Sequence, residues 1–185
     1  RFTDEFGDRK TTTDAIFKVL DAGGKTISVT DSVGVASFNK VRPGAMDILR
    51  KNGAVKEYAT LDDLAKAYGI SPDALKQTFA EFNKAIESGK DTEFGRKLDK
   101  DIKPLMHAPY YVSEMSPKIH HTMGGIKINV KSQVINTKGK VIPGLYAVGE
   151  VTGGIHGSNR LGGNAVADFT VFGRIAGAAA SKYAA

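Results

Sequence analysis

Residues 144–174 read GLYAVGEVTGGIHGSNRLGGNAVADFTVFGR, a run that leaves the chain few ways to fold around it. Gly144, Gly149, Gly153, Gly154, Gly157, Gly162 and Gly163 all fall within residues 144–163. Glycine is the residue that lets a backbone approach a ligand closely and point successive N–H groups at it. The run follows a strand-like segment, Leu145–Gly149, and opens into an Ala-rich helix expected from about Gly163 to Ser181. A helix N-terminus behind a glycine turn suits a phosphate, a carboxylate or the electron-rich edge of a ring.

Polar side chains in and near this run carry the candidate chemistry. Glu150, at the strand end, could accept two ribose hydroxyls, or be an exposed loop acid. Arg160, just before Gly162-Gly163, could fork onto a carboxylate, or close an ion pair inside the fold. His120-His121 ends PKIHH, where neighbouring side chains on extended chain face opposite ways; that argues against a shared metal and for one histidine on a substrate and the other on a cofactor or the core. His156 and His107 make weaker candidates, His107 as a structural or exposed residue.

The rest of the chain divides in two. Up to about residue 103 it reads as mostly helical: a helix over 13–22, a short strand within KTISVTD, a helix over 45–51, one begun by Thr60 and one begun by Ser71-Pro72 and ended by Gly89. Leu75, Phe79, Phe82 and Ile86 form a one-sided stripe on the last of these. Residues 34–45 show no clear period, and residues 90–108 read as a charged loop. After Pro109 short strands are expected at 110–112, 124–130, 133–136 and 145–149. The four-residue spacing of Gly173 and Gly177 would let another element approach the final helix.

Composition narrows the function. With 185 residues, 41% hydrophobic and 25% charged, the chain is globular and has room for one domain or two small ones. Its net charge of +6 suits an anionic substrate or cofactor, but the basic residues are scattered, which argues against nucleic acid. Without cysteine there is no disulfide, thiolate metal site, covalent c-type haem or thiol nucleophile. No apolar stretch reaches the roughly 20 residues of a membrane span. The first residues, RFTDEFGDRK, hold no signal-like apolar core and no initiator Met, and composition does not choose between periplasm and cytoplasm.

PKIHHTMGG, IPGLYAVGEVTGGIHGSNRLGGNA and FGRIAG together resemble the flavoprotein fumarate reductases. The likeness is to the soluble and periplasmic enzymes, including the flavocytochrome type, and to urocanate reductase, with succinate dehydrogenase flavoproteins more distant. It implies a mixed α+β or α/β fold: residues 1–103 as the end of a helical clamp domain, and residues 104–185 as the returning half of an FAD-binding domain. The family's ADP-binding glycine fingerprint is not in this sequence, so the rest of the flavoprotein is expected on the same or a separate chain. The resemblance implies FAD as cofactor, a small dicarboxylate or other 2-enoate as substrate, and an electron-donor protein or domain outside this chain.

Residue by residue, the resemblance makes His120 and Arg160 the substrate-carboxylate ligands and Glu150 a contact of the FAD ribose. It runs the backbone of Gly162, Gly163, Asn164 and Ala165 beside the flavin and makes His121 a flavin-side neighbour. The family's proton donor is a clamp-domain arginine supplied by a glutamate and a second arginine. Glu5 and Arg9 resemble that supply pair, one turn apart on any helical path, although a surface ion pair explains them equally well. The donor arginine itself aligns with Gly34, in Asp31-Ser32-Val33-Gly34. Either Arg42 substitutes, or the substrate takes a different donor, or reductase activity is lost and the chain is a non-catalytic flavin-binding or assembly module. A dehydrogenase running the same chemistry in reverse is the rival among enzymes.

Overall fold

The computed structural model describes residues 1–185, which form two compact units, Arg1–Pro117 and Lys118–Ala185.

The first unit contains α1 (Arg9–Asp21), β1 (Ile27–Asp31), α2 (Ser32–Val41), α3 (Ala45–Lys51), β2 (Lys56–Tyr58), α4 (Leu61–Tyr68), α5 (Pro72–Ser88) and β3 (Tyr110–Glu114). Its sheet is antiparallel in the order β1-β3-β2, with Val112 opposite both Val29 and Lys56. β3, although it follows the charged loop, is therefore the central strand of this unit. α4 and α5 start and stop where local chemistry says they should. The Thr60 hydroxyl accepts from Asp63 N–H at 3.0 Å, Ser71 caps α5 ahead of Pro72, and Gly69 and Gly89 end the two helices in the left-handed region. Leu64, Ala65, Leu75, Phe79, Tyr110 and Val112 make the core, where each fully buried large apolar side chain contributes about 2 kcal/mol. The Phe79 and Tyr110 rings meet edge-on at 5.6 Å.

α2 occupies residues in which no period was evident. Its start is set from a distance. Asp31 is 1% exposed, and its carboxylate accepts from Gly34 N–H at 2.9 Å and from Met106 and His107 N–H at 3.1 Å each. The helix thus begins at a carboxylate that also holds the chain entering β3. The charged loop is tied down in the same manner, by Asn83 exchanging two hydrogen bonds with Leu105 (2.8 and 3.2 Å).

The second unit contains β4 (Ile126–Lys127), β5 (Gln133–Ile135), β6 (Val141–Tyr146), a single 3₁₀ turn (Gly149–Val151), β7 (Thr152–Gly153) and α6 (Asn164–Ala184). β4 runs parallel to β7, and β5 antiparallel to β6. β4 and β5 are shorter than the sequence suggests because few partners exist for them within the unit, and the strand expected over 145–149 lies earlier, at Val141–Tyr146. Two crossings depend on glycine: a Cβ on Gly125 would lie 2.3 Å from the Val151 carbonyl oxygen, and one on Gly153 would lie 2.6 Å from Gly125 N. α6 packs back on β6, where the Gly144 backbone meets the Tyr183 ring and the Tyr146 hydroxyl donates to the Ala179 carbonyl at 3.3 Å. Gly173 and Gly177, in contrast, face open space. No helix is long and apolar enough to cross a membrane.

Candidate functional site

In the second unit the glycine-rich loop runs from β7 to Gly163, which takes a left-handed conformation (φ 85°) and caps α6 with no side-chain hydrogen bond. The exposed Gly162, Gly163 and Asn164 therefore present a helix start without a capping side chain, and Ala165 follows half-buried. Such an end favours an electron-rich or anionic partner.

Arg160 lies beside it and is only 9% exposed. Its Nη1 donates to the Leu161 carbonyl at 2.9 Å, and its Nε is covered with no hydrogen-bond partner. It enters no salt bridge, so the alternative of an ion pair inside the fold does not arise. A buried guanidinium without a counter-ion is costly, and an external carboxylate would remove that cost. His120 is exposed and free to reach a ligand.

Glu150 sits in the 3₁₀ turn with its side chain exposed, and its Oε1 accepts from Thr122 N–H at 3.0 Å. That hydrogen bond is the main cause keeping the carboxyl below its usual range, with smaller electrostatic contributions from His121 and His120. A carboxylate held ionised and open to solvent fits a ribose diol, and the uncapped start of α6 fits the electron-rich edge of a ring system.

His121 packs against His156. Both its ring nitrogens are covered and without partners. Its ring lies 5.5 Å from that of His156 at an interplanar angle of 81°, so in this arrangement those nitrogens are not offered to a group outside the segment. His156 in turn pairs through Nε2 with Asp168 Oδ2 at 3.1 Å. Sequence reasoning gave His156 little weight and passed over Asp168. The available signal was that Asp168 is the only acid in an otherwise apolar, Ala-rich helix.

With that geometry in hand, known proteins supply the family. The FAD binding domain family model matches residues 1–166. The chain belongs to that family. It is 40% identical over 186 residues to an NADH:acrylate oxidoreductase of Vibrio harveyi, covering 98% of this chain and 18% of the relative. It is 51% identical over 124 residues to a fumarate reductase (cytochrome) of Shewanella frigidimarina, covering 67% of this chain and 21% of the relative. Among solved structures, the open conformation of a flavocytochrome c3 fumarate reductase matches with a TM-score of 0.65 and 40% identity, over 100% of this chain and 31% of that one. FAD is thus the cofactor of the family, and the fumarate-reductase-like flavoproteins are this chain's relatives. The chain spans about a fifth of the length of the two curated relatives named.

The residues expected to handle protons lie in the first unit, and several are arranged differently from expectation. Glu5 precedes α1 in a turn, so the helical path assumed for a Glu5–Arg9 pair does not exist. Its carboxylate accepts instead from Arg1 at 2.7 and 2.9 Å and from Arg96 at 3.3 Å. Burial opposes its charge, but the Arg1 hydrogen bond and both arginine charges outweigh that and hold the carboxyl below its usual range. Arg9 opens α1 and is exposed; Arg42 caps the end of α2 and is exposed. At position 34 a Cβ would lie 2.0 Å from Thr30 Oγ1, so a side chain there would require the Thr30 hydroxyl to turn away. Glycine itself has no proton to give, so a donor must be another residue. His107 acts through its backbone, its carbonyl accepting from the Ser32 hydroxyl at 2.9 Å.

Proposed function

We propose that the chain is the substrate-gripping and flavin-lining part of an FAD-dependent oxidoreductase that reduces the C=C bond of a 2-enoate, fumarate or a relative of it. The observation that carries this reading is Arg160, nearly buried, without a counter-ion, and beside an uncapped helix start. In the reaction, Arg160 and His120 hold the substrate carboxylate. Their positive charge draws electron density from the double bond and stabilises the carbanion that develops in the transition state. The flavin, when bound and reduced by an electron donor outside this chain, would supply the hydride. Glu150 orients the ribose, and the backbone of Gly162, Gly163, Asn164 and Ala165 lies along the ring system. An acidic side chain completes the reduction by protonating the second carbon, and Arg42 and Arg9 are the arginines to test for that role.

The test is steady-state reduction of a panel of 2-enoates by the flavoprotein that includes this chain, with flavin content measured for each variant. Arg160→Lys keeps the charge but loses the fork that fits a planar carboxylate. Loss of a buried charge-assisted contact costs about 2–5 kcal/mol, so kcat/KM should fall severely while flavin is retained. Normal KM and turnover on every accepted enoate would reject the carboxylate grip. Arg9→Gln and Arg42→Gln identify the proton donor as the variant whose turnover collapses while KM holds. Bound flavin with no turnover on any enoate, in the unmutated protein, would favour a non-catalytic flavin-binding module.

A further inference from the structure

His121, His156 and Asp168 come from three separate stretches of the second unit: the HHTMGG segment, the glycine-rich loop and the early turns of α6. His156 Nε2 and Asp168 Oδ2 are 3.1 Å apart, with side chains 11% and 2% exposed. A carboxylate only accepts hydrogen bonds, so Nε2 carries the proton and the plane of the His156 ring is set by Asp168. That ring then meets the His121 ring at 5.5 Å and 81°, an edge-to-face contact that depends on ring orientation. The ring nitrogens of His121 have no other hydrogen bond to orient them. Each stretch also carries part of the proposed site: His120 adjoins His121, Arg160 follows His156 by one short loop, and Asp168 shares α6 with Asn164.

We infer that His156, anchored on Asp168, is a positioning residue: by setting the ring plane of His121 it fixes where the His120-bearing segment stands against the loop that carries Arg160. This rests on the carboxylate-grip reading of His120 and Arg160. Asp168 and His156 touch neither substrate nor flavin in this role, and their effect travels through the His121 ring.

Two substitutions separate the links. His156→Gln keeps a donor for Asp168 but removes the ring that faces His121. His156→Phe keeps a ring but leaves Asp168 without its donor. Each is made in the flavoprotein that includes this chain, and three quantities are read: melting temperature, amide exchange of residues 118–125, and KM against kcat for a 2-enoate. The Gln variant is expected to melt near the parent, to exchange about tenfold faster at 118–125, and to lose up to roughly 100-fold in kcat/KM, mostly through KM. The Phe variant, whose ring has lost its anchor on Asp168, is expected to melt lower and also to exchange fast at 118–125. A purely structural pair would move melting and local exchange together in the Gln variant too. Unchanged exchange in the Gln variant, or parent-like exchange in a folded Phe variant, overturns the inference. If the Phe variant does not accumulate, Asp168→Asn replaces it. That change keeps the acceptor and its shape, so it should retain protection at 118–125, and loss of protection in a folded Asp168→Asn protein overturns the inference. Should Arg160→Lys leave enoate handling untouched, the grip reading fails, while the exchange data still decide whether His156 orients His121.

Discussion

Single side chains in this protein are defined by partners far away in sequence. Glu5 illustrates it: the arginines that neutralise it are Arg1, four residues before it, and Arg96, 91 residues after it. Arg1 also donates to Asp91 at 2.6 Å, where the Asp91 side chain is 2% exposed. Around this pair the guanidinium of Arg1 lies 4.9 Å from the Phe94 ring, and that of Arg96 lies 4.3 Å from Phe6 and 5.3 Å from Phe82. The Arg1 hydrogen bond holds the Asp91 carboxyl far below its ordinary value of 3.8, against the opposing effect of burial. A depressed carboxyl contributes stability that is fully present above its unfolded-state value and is lost as pH falls toward its folded-state value. Glu5 shifts in the same direction from 4.5. The melting temperature should therefore hold through the neutral range and decline below about pH 4.5. Asp91→Asn should lower it at neutral pH, with the gap to the parent narrowing on acidification. A gap that stays constant to low pH would show that the charge of Asp91 contributes nothing to stability.

Among elements, the helices of the first unit behave as their caps and stripes dictate, whereas the short strands of the second unit depend on backbone contact. β4 and β7 pair through only Ile126–Thr152 and Lys127–Gly153, and their approach is possible because Gly125 and Gly153 carry no side chain. Gly125→Ala would force a methyl group against the Val151 carbonyl, an overpacking that costs about 1–3 kcal/mol. Gly162→Ala, where a Cβ meets nothing, serves as the matched control for adding a methyl group to the same unit. Thermal denaturation of the two variants should show a clear loss for the first and little change for the second. Equal losses would mean that the β4–β7 crossing is not what limits this region. α2 shows the reverse dependence. Its residues have no strong helical signature, and it forms because buried Asp31 caps Gly34 N–H while also holding Met106 and His107.

On the scale of the whole molecule, the two units differ in what they bury. The first has a continuous core of Leu64, Ala65, Leu75, Phe79, Tyr110 and Val112. In the second, Val134 is the only fully buried hydrophobic residue, and Leu161, Val166, Phe169, Val171 and Tyr183 are exposed. Amide exchange of the isolated chain should accordingly be slower in 72–88 than in 124–149, because protection follows buried apolar contact and enclosed hydrogen bonds. The opposite order would place the stable core in the second unit.

Local chemistry was enough, from the sequence, for α4 and α5 with their caps, for the helix after the glycine loop, and for the membership signalled by HHTMGG and NRLGGNA, though the strand before that loop lies several residues earlier than expected. Those features depend on neighbours a few residues apart, where cap hydrogen bonds, the helical period and the freedom of glycine act. The sequence pointed to Arg160 from its place before Gly162-Gly163; Glu150, expected at a strand end, lies instead in the turn Gly149–Val151. Only the folded chain decided that Arg160 has no internal counter-ion, that Glu5 belongs to Arg1 and Arg96 and not to Arg9, and that His121 leans on a His156–Asp168 pair. Each of these turns on burial and on contacts between stretches far apart in sequence. Desolvation and steric exclusion are properties of the space around a residue, and that space exists only once the distant segments have come together.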